Sequence, residues 1–202
     1  MIFVLVHGIN DTPVKFKTMQ STFENQGYRC IVPSLTPKNA SKGLEHMAAQ
    51  LRDIINIEIG KTKAMVCLVG FSMGGLISRF YLQELEGYKV VKLFFTISAP
   101  HHGSVLAFLS PSLGARQMRP KSDFIHKLAS NSQQLKGLPC YSYWTPFDLM
   151  ILPATSSKWE NAVNIKIFSL AHPLMVKNDQ IMTDILLKVR SFKAKKTSGV
   201  LY

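Results

Sequence analysis

Val66-Cys67-Leu68-Val69-Gly70-Phe71-Ser72-Met73-Gly74-Gly75 is an apolar run of strand length that meets Gly-x-Ser-x-Gly, and Leu76, Ile77, Phe80 and Tyr81 follow at helical spacing. Strand, sharp turn and helix in immediate succession are the context that a nucleophile elbow requires. The turn forces the serine into a strained backbone conformation and leaves no room for side chains beside it. Gly70 and Gly74 meet that demand. Such an elbow lifts Ser72 Oγ above the sheet edge and aims the first amides of the following helix at the same spot. A helix N-terminus with free N–H groups suits a developing oxyanion.

Outward from the elbow, residues 2–6 and 90–97 are continuous apolar runs, which read as strands buried on both faces. Further strands are expected over 28–32, 64–69, 138–144 and 163–170. A first helix follows the loop 7–13, capped by Asp11 or Thr12 with Pro13 in its first turn. It carries Phe16, Met19 and Phe23 inward and stops at Gly27. A long helix is expected over 41–58, with Leu44, Met47, Leu51, Ile54 and Ile55 as its inner stripe. Others are expected over 73–86, around 123–135 and over 178–189. Alternation of this kind predicts an α/β fold, three layers with about six mostly parallel strands and helices on both faces. Residues 1–202 read as a single domain, with 105–137 as a partial cap or substrate-side insertion and 191–202 as a basic, frayed tail.

Twenty-four lysines and arginines against twelve carboxylates give a formal net charge of +12. The positive charge is spread along the chain and dense only near its end, which reads as a solvated basic surface. A weak attraction to anionic membranes is the alternative. No zinc-ligand spacing and no interleaving of aromatic and basic residues is present, so neither a metal nor nucleic acid is expected. Cys30, Cys67 and Cys140 fall in or at the ends of strands, an odd set that favours reduced, packed thiols. With no basic leader ahead of the first strand and no run long enough to span a bilayer, a cytoplasmic location is expected.

In a parallel α/β sheet, function collects beyond the carboxyl ends of the strands. A serine hydroxyl there needs a base within hydrogen-bond reach. His46 and His126 fall in helices, and His7 comes too early for the chain order serine, acid, histidine. His101 and His102 follow a strand end. His172, just beyond the last strand, can swing over the elbow and is taken as the base. Asp148 follows the preceding strand and is taken as the acid that orients it. Asp123 reads instead as a helix start, and Asp179 and Asp184 as solvent-facing. The amide of Met73 and that of Ile9, in the loop His7-Gly8-Ile9, are the expected oxyanion donors.

Together these segments resemble the small lidless lipases and esterases of the α/β-hydrolase superfamily. The likeness rests on Val6-His7-Gly8-Ile9, Gly70-Phe71-Ser72-Met73-Gly74-Gly75, Pro100-His101-His102-Gly103-Ser104, Asp148-Leu149-Met150-Ile151 and Ala171-His172-Pro173-Leu174. It implies Ser72, Asp148 and His172 as a triad, Ile9 and Met73 as oxyanion amides, and His101 and His102 as part of a supporting turn. No cofactor is implied. Leu106, Phe108, Leu109, Phe147, Leu149, Leu174 and Met175 are expected near the mouth, where they would favour an acyl chain or lipid ester. An acyltransferase, a deacylase of lipid anchors and a non-catalytic binding protein on the same scaffold are the other readings.

Overall fold

The computed structural model describes residues 1–197. Six strands, β1 (Ile2–Val6), β2 (Arg29–Ile31), β3 (Val66–Phe71), β4 (Val91–Ile97), β5 (Cys140–Trp144) and β6 (Val163–Lys166), form one sheet in the order β2-β1-β3-β4-β5-β6. Every neighbouring pair is parallel. The order reverses at β1, so the crevice between the carboxyl ends of β1 and β3 is the topological switch point. Val6 pairs with Gly70 there, and Gly70 with Thr96 on the other side.

Because successive strand residues point to opposite faces, β1 splits its side chains between two cores. Ile2, Val4 and Val6 join Val66, Leu68 and Phe94 beneath α2 (Leu44–Thr62), α3 (Met73–Glu84) and α5 (Asp123–Ser130). Phe3 and Leu5 join Val69, Phe95 and Ile97 beneath α1 (Lys17–Glu24) and α6 (Asp179–Thr197). The three expected layers are present. β2 and β6 are the edges; β6 is short and ends on Lys166, devices that discourage pairing with another chain.

Several boundaries differ from the expectation. Thr12 precedes a 3-10 turn, Pro13–Phe16, without a side-chain cap, and Asp11 instead pairs with Lys15 at 3.6 Å. Ser122, not Asp123, caps α5 by accepting the Ile125 N–H at 3.3 Å. The helix expected over 123–135 breaks at Asn131 into α5 and a 3-10 turn, Ser132–Leu135. α4 (Leu113–Gln117) and another 3-10 turn, Val105–Leu109, occupy the segment ahead of it. The last strand stops at Lys166 rather than at residue 170: Ile167 N–H makes a last bond to the Trp144 carbonyl, and beyond it Ser169 is held by the Thr145 side chain instead of by backbone. Asp184 does not face solvent alone: it accepts the Tyr143 hydroxyl at 2.7 Å and pairs with Lys188 at 2.6 Å. α6 runs on to Thr197, so the first part of the expected frayed tail is helical. Residues 198–202 lie outside the described residues.

Candidate active site

Ser72 sits between β3 and α3 at φ 52° and ψ −124°, a conformation that non-glycine residues rarely adopt and that costs on the order of 1–3 kcal/mol. Its own amide donates to the Ile97 carbonyl at 2.9 Å, which ties the turn to the end of β4. The chain passes so close to its neighbours here that side chains cannot be fitted. A Cβ on Gly70 would lie 2.6 Å from Gly75 Cα, and one on Gly74 would lie 2.1 Å from the Val6 carbonyl oxygen. Met73 is the first residue of α3, and its N–H has no acceptor among the described residues.

The loop after β1 runs past this turn. A Cβ on Gly8 would come within 3.2 Å of Ser72 Cβ. Fully buried His7 fastens the loop from below: its Nε2 accepts the Leu35 N–H at 3.2 Å, which leaves Nδ1 to donate to the Gly8 carbonyl at 2.9 Å. His7 is therefore a positioning residue held as the neutral Nδ1–H tautomer. The neighbouring amides are spent, Asn10 N–H on the Lys38 carbonyl and Asp11 N–H on that of Gly8. Ile9 N–H, like that of Met73, meets no acceptor among the described residues.

His172 and Asp148 are joined by a 2.7 Å bond from Nδ1–H to Oδ2, and both are buried. Oδ1 of Asp148 accepts the Met150 and Ile151 amides at 2.9 Å each. The imidazole packs on Phe71, 4.7 Å between ring centroids, and so lies beside the residue that precedes Ser72. Thr145 Oγ1 donates to the Ser169 carbonyl at 2.8 Å and pins the histidine loop to the aspartate loop. Ser72 Oγ makes no hydrogen bond among the described residues. Serine–imidazole contacts are often long in free enzymes and tighten around substrate.

Burial pushes the Asp148 carboxyl up. The hydrogen bond and charge of His172 and the two amides outweigh it, so the group ends below its ordinary value. A depressed carboxyl stabilises the fold above its unfolded pKa, about 4, and that contribution is lost as pH falls through the lower folded value. Melting curves taken from neutral pH to about pH 3 are expected to fall more steeply at the acid end for the native chain than for Asp148→Asn. Parallel curves would refute the assignment.

The Pro100–Ser104 turn divides its histidines. His101 is buried: Arg79 Nη1 donates to its Nδ1 at 3.3 Å, its Nε2–H reaches Thr96 Oγ1 at 3.0 Å, and Trp159 stacks on it at 5.0 Å. Burial, with Arg79 and His102 adding to it, holds the ring well below its usual pKa and therefore neutral. His102 points outward to Glu160 at 3.2 Å. Two further supports lie outside the residues expected for the triad, the oxyanion amides and the supporting loops. Buried Arg79, pushed down to about 9 by desolvation against the fields of Glu160 and Cys140, bridges α3 to the Leu128 carbonyl. Ser104 Oγ donates to the Met150 carbonyl at 3.2 Å and accepts the Leu152 amide at 3.0 Å, which braces the Asp148 loop.

A pocket of about 200 Å³ lies over Ser72, lined mainly by apolar groups such as Ile9, Pro100, Leu106, Met118 and Ile151. Of the expected mouth residues only Leu106 lines it. Phe108, Leu109, Phe147, Leu149 and Leu174 are exposed to solvent and do not line it, and Met175 is buried in the core on the α6 side of the sheet. The side chain at 175 turns inward because it falls in a 3-10 turn, His172–Lys177, that packs against α1 and α6.

Sheet order and architecture are those of the α/β-hydrolase fold. Residues 2–151 match the palmitoyl protein thioesterase family, and the chain belongs to that family. A search of the curated proteins gives no match. Among solved structures it resembles the mature lipase BlEst2 of Bacillus licheniformis, 18% identical with a TM-score of 0.75, over 93% of this chain and 91% of that one. It also resembles lipase B of Aspergillus fumigatus, 16% identical with a TM-score of 0.73, over 87% of this chain and 49% of that one. A structure described with the metagenome-derived lipolytic enzymes LipS and LipT is 16% identical with a TM-score of 0.67, over 94% of this chain and 94% of that one. The chain thus matches about half the length of the Aspergillus enzyme.

Proposed function

We propose that the chain hydrolyses carboxylic esters or thioesters of apolar acyl groups through an acyl-enzyme, with Ser72 as nucleophile, His172 as base and Asp148 as orienting acid. The bonded Asp148–His172 pair, packed on Phe71 immediately before the strained Ser72, is the observation that carries this reading. With Nδ1–H committed to Asp148, Nε2 of His172 is the basic nitrogen. It takes the Ser72 proton as Oγ attacks the acyl carbonyl, and the imidazolium is stabilised by the carboxylate. The carbonyl oxygen gains charge and is met by the Ile9 and Met73 amides, which have no competing acceptor. Collapse expels the alcohol or thiol, which receives the proton from Nε2. Water then attacks the acyl-Ser72, giving its proton to His172, and release of the acid restores the serine. No step calls for a cofactor.

The apolar lining suits the acyl chain, and residues 105–137, which supply Leu106 and Met118, serve as a partial cap within one domain. The family name and this lining favour a deacylase of lipid anchors over an enzyme for small polar esters. A fluorophosphonate is expected to label the native protein once, at Ser72, and to leave Ser72→Ala unlabelled. Labelling that survives in Ser72→Ala, or none at all, would overturn the assignment; the second result would indicate a binding protein on a hydrolase scaffold. A chain-length series of p-nitrophenyl esters beside S-acyl thioesters then fixes the leaving group, and a competing alcohol separates hydrolysis from acyl transfer.

A further inference from the structure

Three loops at the carboxyl end of the sheet carry large apolar side chains that nothing in the described chain covers. Leu109 and Leu170 are each 82% exposed, Leu149 77% and Phe168 71%. Single exposed leucines are ordinary, but several on loops bonded to one another, two of which line the pocket, are not. These loops are laced together. Val105 N–H bonds to the Leu152 carbonyl at 2.9 Å, Ser104 Oγ to that of Met150, and Thr145 Oγ1 to that of Ser169. Phe147 and Phe168 approach to 6.4 Å between ring centroids. None of Leu109, Leu149, Phe168 and Leu170 lines the pocket, so the acyl site does not account for them.

Cations sit at the rim of the same surface. Arg119 lies over the Phe108 ring at 4.7 Å, Lys158 over Trp144 at 4.5 Å and Lys166 over Phe168 at 4.8 Å. Among the described residues none of the three makes an ion pair. From residue 98 to 178 the chain holds three carboxylates, Asp123, Asp148 and Glu160, against eight lysines and arginines. Asp148 is buried and Glu160 faces His102. An apolar crown with a cationic, aromatic rim is what the interface of a negatively charged bilayer recognises: hydrocarbon enters the acyl boundary while cations stay at phosphate level.

We propose that this crown docks the protein on an anionic lipid bilayer, with Leu109, Leu149, Phe168 and Leu170 inserted and Arg119, Lys158 and Lys166 at the headgroups. The pocket over Ser72 then opens towards the membrane. Binding of this kind does not rest on the proposed hydrolysis, but it extends that reading by letting an acyl chain reach Ser72 without crossing water.

The test is cosedimentation of the Ser72→Ala protein with phosphatidylcholine vesicles and with vesicles containing about 30 mol% phosphatidylglycerol. Partition is expected onto the anionic vesicles, reduced about tenfold by roughly 0.5 M salt. Adding Leu109→Ser, Phe168→Ser and Leu170→Ser is expected to lower partition about 30-fold at either salt. Lys158→Gln with Lys166→Gln is expected to remove most of the salt dependence. In the native background the triple variant is expected to keep its urea midpoint and its rate on a monomeric short-chain ester, so lost binding cannot be lost folding. Unchanged partition of the triple variant, or no partition at all, would overturn the docking. A concentration-dependent dimer dissolved by the triple substitution, without vesicle binding, would also overturn it and give the face to a second copy. Vesicle binding without fluorophosphonate labelling would sink the proposed chemistry and leave the docking standing.

Discussion

His172→Ala lowers kcat on a soluble p-nitrophenyl ester by about 10⁵- to 10⁶-fold and changes KM little. A serine hydroxyl is almost wholly protonated near neutral pH, so attack requires a base at the moment the bond forms. The other buried imidazoles cannot substitute. Both nitrogens of His7 are engaged, with Leu35 N–H and the Gly8 carbonyl, and those of His101 with Arg79 and Thr96. KM is expected to hold because a base that takes its proton only as the bond forms contributes little to ground-state binding. Residual activity, on the order of 10³–10⁴ above water, remains with the Ile9 and Met73 amides and the pocket. Ser72→Ala combined with His172→Ala is expected to fall no lower than either alone, since the two act as one unit. A steady-state comparison of the three variants measures this. A loss below about 100-fold for His172→Ala would mean that another group takes the proton.

The parts of the fold and site that were legible in the sequence are those fixed by local chemistry. β1 shows as five apolar residues because both of its faces are buried. The elbow shows because two backbone approaches exclude every side chain but hydrogen at Gly70 and Gly74. Asp148 and His172 could be singled out by chain order and strand ends, and they do lie in bonding contact. What stayed hidden depends on distant partners. The end of β6 is decided by the Thr145 side chain, which engages Ser169 where backbone pairing would otherwise continue. Arg79 looks like an ordinary helix-surface residue until Trp159 and the Leu128 carbonyl close over it. Phe108, Leu109 and Leu149 read as pocket lining because an apolar residue near a site announces burial. Their outward orientation is a property of loops tied to one another, which no local pattern records.

Gly74→Ala destabilises the fold by about 4 kcal/mol or more, while Gly60→Ala, one helix away, stabilises it by about 0.5–1 kcal/mol. The contrast isolates close approach from helix propensity, because alanine is the better helix former at both positions. Nothing lies within 4 Å of a Cβ at Gly60, whereas one at Gly74 would meet the Val6 carbonyl oxygen at 2.1 Å and that of His7 at 2.7 Å. Neither atom can give way cheaply. The Val6 end of β1 is held in register against Gly70, and His7 is pinned through Leu35 and the Gly8 carbonyl. A shift large enough to relieve the clash would carry the loop of Ile9 away from Ser72. Whatever Gly74→Ala protein folds is therefore expected to react with fluorophosphonate far more slowly than native protein, even at temperatures where it is fully folded. Urea midpoints and labelling rates of the two variants decide the matter together. If Gly74→Ala kept native stability and native labelling, the contact between the first turn of α3 and β1 would be looser than 2.1 Å implies. The positioning of the two amides by that contact would then have to be abandoned.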